Sequence, residues 1–252
     1  MLWAVSCSKE QPTVTVHFTV QQGFDILMPG TKAAGDGTAA TQMMVGVFDA
    51  QGNAIEGLRQ VVTRSATSGF DFDLQLVGTL SYKVVLWAQY PDRYINSASW
   101  TAAGLKNISL TGITALNTEQ ADAFTAAASV PAGTTALTMT LARPFAQVTM
   151  ATTASLAGLD QARLTLTGVP AAYNAYEASA TGTQNLTLTG SIAGGTYATD
   201  YTLIGYAYVP ARVETVNATI ELGTTAAPAQ RTKTVENLPL KANYRTNILG
   251  NI

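Results

Sequence analysis

Residues with well-known chemical uses are scarce in this chain. Its 252 residues include one cysteine, Cys7, and one histidine, His17. That excludes a Cys/His zinc site and an internal disulfide, and a Cys/His catalytic pair would require those two side chains to meet. His17 lies in Thr15-Val16-His17-Phe18-Thr19. Alternation puts it on the face opposite Val16 and Phe18, as a solvent-facing strand histidine with no Ser or Cys motif beside it. Asp71 and Asp73 share one face of a second alternating segment. Glycosidase carboxylates come from separate elements across a cleft, so a wet sheet face accounts better for this pair. Asp36 and Asp49 lack the ligand density of a calcium loop. Gly35-Asp36-Gly37 and Gly194-Gly195 are turn chemistry and open no helix, which argues against a phosphate cradle. The chain reads as a non-enzyme with no catalytic residue, no metal and no cofactor. Tyr94 and Trp100, around the polar loop after Pro91, are candidates for stacking on a glycan; the competing reading is packing over a core Trp87.

Composition narrows the partners. Charged residues are 12% of the chain and hydrophobic residues 47%. The charged share is about half the usual one, so long disorder is excluded. A net charge of −2, with 14 Lys and Arg scattered singly, offers no basic stripe for nucleic acid. No apolar run reaches the ~20 residues of a membrane helix, so membrane attachment would need a lipid or a partner. Leu2-Trp3-Ala4-Val5-Ser6-Cys7, followed by Ser8-Lys9-Glu10, looks like the end of a bacterial lipoprotein signal with Cys7 as the acylated residue. Residues 1–12 are read as the remnant of that signal and a linker.

The elements that must position everything else are strands. Thr13-Val14-Thr15-Val16, Leu164-Thr165-Leu166-Thr167 and Asn185-Leu186-Thr187-Leu188-Thr189 alternate apolar and polar, as half-buried strands do. Phe70-Asp71-Phe72-Asp73-Leu74-Gln75-Leu76 puts its apolar residues on one face, and Tyr82 to Tyr90 is the most β-prone stretch, stopped by Pro91-Asp92. One short helix is expected over Thr118–Phe124, capped by Asn117 or Thr118. Many short strands without long helices predict an all-β sandwich or barrel. Pro144, between two apolar runs, ends a strand or changes its partner. The expected units are therefore an N-terminal sandwich over 13–142 and a C-terminal one over 143–252.

Phe70-Asp71-Phe72-Asp73, Tyr82 to Tyr90, Asp122-Ala123-Phe124, Leu141-Ala142-Arg143-Pro144-Phe145-Ala146-Gln147-Val148 and Leu238 to Ile248, in that order, resemble the Bacteroidales fimbrillin group. These are subunits of surface fimbriae, or type V pili, and related lipoproteins. The resemblance implies two tandem transthyretin-like (Greek-key) β-sandwich domains, lipid anchoring of Cys7 to the outer membrane, and assembly with other fimbrial subunits by donor-strand exchange in cell adhesion. It also implies removal of a first strand by an Arg-directed protease. Here no Arg precedes Arg59, which falls in a predicted strand, and Lys32 is the basic residue in the loose Gly/Ala/Asp loop. The chain stops at Gly250-Asn251-Ile252, where relatives commonly continue. It is read as a fragment or as a subunit that receives a strand without giving one, which would suit an anchor. The alternative is a glycan-binding outer-membrane surface lipoprotein.

Overall fold

The alternating segments become strands in a computed structural model that describes residues 12–22, 37–65, 69–198, 200–212 and 214–252. Cys7, Lys32 and Asp36 lie outside the described residues. In chain order, the first eight strands are β1 (Thr13–Gln22), β2 (Gln42–Phe48), β3 (Gln60–Thr63), β4 (Phe70–Val77), β5 (Tyr82–Gln89), β6 (Ile108–Ser109), β7 (Ala123–Val130) and β8 (Ala136–Leu141). Then come β9 (Phe145–Thr152), β10 (Gln161–Val169), β11 (Ala172–Asn174), β12 (Ser179–Thr181) and β13 (Gln184–Ser191). The last five are β14 (Thr196–Ala198), β15 (Tyr201–Pro210), β16 (Glu214–Gly223), β17 (Arg231–Leu240) and β18 (Arg245–Gly250).

Two β-sandwiches result, the all-β architecture expected from the alternation. In the first, a sheet ordered β4-β1-β8 faces one ordered β3-β2-β5-β7. In the second, β13-β10-β16-β17 faces β14-β15-β9-β18. Each sandwich pairs its first strand with its last in parallel, β1 with β8 and β9 with β18. A small sheet, β12-β11-β6, joins a strand from the first half of the chain to two from the second.

The first core is built by period-two burial. Val16, Phe18 and Val20 of β1 and Phe70, Phe72, Leu74 and Leu76 of β4 turn inward against Met43, Val45 and Val47 of β2 and Val84 and Leu86 of β5. The opposite faces of β2 and β5 are buried too: Met44, Phe48, Val85 and Trp87 belong to a second cluster that continues into the C-terminal sandwich. That double burial explains why Val84 to Ala88 carry no polar alternation. At Gly46 of β2 a Cβ would lie 2.5 Å from Cδ1 of the fully buried Leu105, so the bare backbone makes room for a neighbouring segment. Gly46→Ala is expected to lower stability by about 1–3 kcal/mol through overpacking, measured by urea denaturation.

The helix expected over Thr118–Phe124 is reduced to one 3-10 turn, Glu119–Ala121, whose N-cap Thr118 accepts a hydrogen bond from the Gln120 amide. Ala123 and Phe124 already belong to β7. Tertiary pairing overrides the helical preference of its alanines, because β7 hydrogen-bonds along β5 from Gln89↔Ala123 to Tyr82↔Val130. Among the described residues no helix is long and apolar enough to cross a membrane.

Candidate functional site: the first strand and the junction

β1 occupies the middle of its sheet. It pairs antiparallel with β4 from Thr13↔Val77 to Val20↔Phe70, and parallel with β8 from His17↔Ala136 to Gln22↔Leu141. Its alternate residues do different work. Phe18 is fully buried and stacks on Phe72, with centroids 4.7 Å apart and rings 2° from parallel. Val16 and Val20 flank it inside the core. On the outer face His17 Nδ1 lies 2.8 Å from Asp73 Oδ1, and Gln75 Nε2 donates to Thr15 Oγ1 at 2.6 Å. His17 and Asp73 are both exposed, so the pair adds register and little energy. Displacing β1 would uncover two edges already spaced for a strand, together with the pockets of three buried side chains. At about 1.5–3 kcal/mol each, refilling those pockets is worth roughly 5–9 kcal/mol before ordering costs are subtracted.

The remaining sequence candidates sit elsewhere. Asp71 is half-buried rather than fully wet, and its Oδ1 has no hydrogen-bond partner. Asp49 closes its own turn: Oδ1 accepts from the amides of Gln51 and Asn53, and Oδ2 from Asn53 Nδ2. The Asn53 side-chain and backbone bonds hold its carboxyl below the usual range. Trp100 is only 7% exposed, with the Arg59 guanidinium 6.0 Å from its ring centroid. Tyr94 packs edge-on to Trp87 at 5.8 Å, and its hydroxyl donates to the Ala121 carbonyl. Burial pushes that hydroxyl above the usual tyrosine range. The two candidate stacking rings thus pack against the core, as the competing reading had it, where the sandwiches meet.

That junction holds the polar groups that sequence spacing left unconnected. Arg143 grips Asp122 with two bonds, Nε to Oδ1 and Nη2 to Oδ2, both 2.7 Å. Each side chain is 1% exposed. The guanidinium lies 4.9 Å from the Phe124 ring centroid and 5.4 Å from that of Tyr208. Glu119 accepts hydrogen bonds from the hydroxyls of Tyr206 at 2.7 Å and Tyr208 at 2.9 Å. Burial raises both tyrosines above their usual range, with the Glu119 charge adding to the effect. On another part of the junction, Lys83 and Lys106 place their ammonium groups 3.8 and 4.4 Å from the centroid of the Tyr176 ring. These groups hold, screen and orient one another across the junction.

The sequence pattern of a family of unknown function, DUF6562, spans residues 8–252. The chain belongs to that family. No curated protein matches this DUF6562 member. Its fold is similar to a fimbrial assembly protein from Parabacteroides distasonis, with a TM-score of 0.57 and 10% identity, over 96% of this chain and 92% of that one. It is also similar to the fimbrial anchor protein Mfa2 from Porphyromonas gingivalis, with a TM-score of 0.51 and 13% identity, over 88% of this chain and 82% of that one. At such identities the likeness is one of fold.

Proposed function

We propose that this chain is a non-enzymatic structural subunit or anchor of a bacterial surface fimbria, joined to its neighbours by β-strand addition and held at the outer membrane by lipid on Cys7. The observation that carries this reading is the place of β1 between β4 and β8. A strand paired on both sides can be exchanged for another chain's strand, with affinity from backbone hydrogen bonds and specificity from alternate side chains. The fold shared with fimbrial assembly and anchor proteins supports the same role.

Unboiled SDS electrophoresis of the native cell surface, probed for this chain, is expected to give a ladder; a lone monomer band would refute the assembly. A Thr15→Cys/Gln75→Cys pair, at directly opposed positions of β1 and β4, would tie β1 down under oxidising conditions. The ladder is then expected to vanish and to return with reductant if β1 must move. Mass spectrometry of the native N-terminus tests the lipid. The alternative, glycan binding, rests on a groove of about 300 Å³ lined by Tyr94, Ile95, Trp100 and Ile108. A glycan-array signal lost in Trp100→Ala would favour it.

A further inference from the structure

The crossover from β5 to β7 leaves the first sandwich and lies across the second. Its residues 108–121 make backbone and side-chain bonds to both sheets there. β6 pairs with β11, and the Leu110 amide donates to the Ala171 carbonyl. The Leu116 amide donates to the Thr189 carbonyl of β13, and the Thr189 amide donates to the Thr114 carbonyl. One residue on, the Asn117 amide donates to the Tyr206 carbonyl of β15. The Asn117 side chain completes the span: Nδ2 donates to the Ser191 carbonyl, and Oδ1 accepts from the Tyr206 amide. β13 and β15 belong to opposite sheets, so this segment straps the seam between them.

The strap also brings apolar mass. Ile108, Leu110, Ile113 and Leu116 are all 5% exposed or less and join the cluster of Leu164, Leu188 and Ile204. Two glycines of the second sandwich are shaped to receive it. A Cβ at Gly190 would stand 3.0 Å from the Leu116 Cβ, and one at Gly205 would stand 2.8 Å from Asn117 Oδ1. Neither glycine has a positive φ, so close approach accounts for them rather than backbone conformation.

We infer that the second sandwich is not self-sufficient: the seam between β13 and β15 is a binding groove for an extended segment, filled in cis by residues 108–121. The strands from Phe145 onward reach their native packing only with the strap in place. This holds independently of the fimbrial reading, because it concerns the single chain.

Hydrogen exchange on the full chain tests it. Leu116→Asp on the strap side and Gly190→Val on the groove side are each expected to cut amide protection in β13 and β15 by about tenfold or more. Amides of β1 and β4 keep theirs. Asn117→Gly, which removes the side-chain bonds and tolerates the φ of 57° that the backbone adopts there, gives a graded version if the stronger variants do not fold. Thr111→Ala, at an exposed turn of the same segment, is expected to change nothing. Unchanged protection in β13 and β15, or equal loss in both sandwiches, would overturn the inference.

Discussion

Asp122→Ala is expected to destabilise the protein by about 3–5 kcal/mol, because it strands a buried guanidinium. Arg143 is held by both Asp122 oxygens, and its remaining Nη1 has no hydrogen-bond partner. Phe124 and Tyr208 lie beside it where water would otherwise be. Burial pushes the Asp122 carboxyl up to about 6, against the downward pull of Arg143. Arginine stays charged, so the carboxyl carries the cost of desolvation. The pair is therefore expensive to bury and more expensive to break. Replacing both members, Asp122→Leu with Arg143→Met, is expected to recover most of the loss, since a packed apolar pair has no desolvation to offset. Urea denaturation of the wild type, both single variants and the double variant closes the cycle. A loss below 1 kcal/mol in Asp122→Ala would show that water reaches the guanidinium.

Strands were legible wherever one face is wet. Phe70 to Leu76 alternates in the sequence and in the sheet, and so does Asn185 to Thr189, because the polar face reports the period. β7 was not legible: Ala126, Ala127 and Ala128 have no β preference of their own, and their extended form comes from pairing with β5. The strap over 108–121 has neither period, since its order comes from the seam it spans. The site residues divide in the same way. His17 and Asp73 were each readable as wet-face residues, but their meeting depends on a register set by chain 56 residues long, which no local spacing encodes. Asp122 and Arg143 both fell in segments that carry the fimbrillin resemblance, yet nothing local pairs residues 21 apart. The available hint was Arg143 itself, a charge between the apolar runs of β8 and β9. Tyr94 and Trp100 were legible only as two alternatives, stacking on a ligand or packing over Trp87; the fold packs Tyr94 against Trp87 while both rings also line a groove.

Phe18→Ala is expected to cost about 3–5 kcal/mol, the largest effect of any single side chain on β1. Phe18 is fully buried and parallel to Phe72, so truncation loses the transfer energy and leaves a cavity against the Phe72 ring. His17→Ala, one residue away, is expected to cost no more than about 1 kcal/mol, because the Asp73 contact is exposed on both sides. The contrast assigns the hold of the sheet on β1 to its inward residues and only the register to its outward ones. It also bears on assembly. A chain in which Phe18 is alanine should release β1 more readily and take up a competing strand faster, even though the folded monomer is weaker. The competing strand must carry a large apolar side chain in register with Phe72. Exchange measured by hydrogen–deuterium labelling of β1, in the presence of a synthetic peptide of residues 12–22, reads this directly. Faster peptide uptake by Phe18→Ala than by His17→Ala is the expected order, and equal rates would mean that β1 leaves only when the whole sandwich opens.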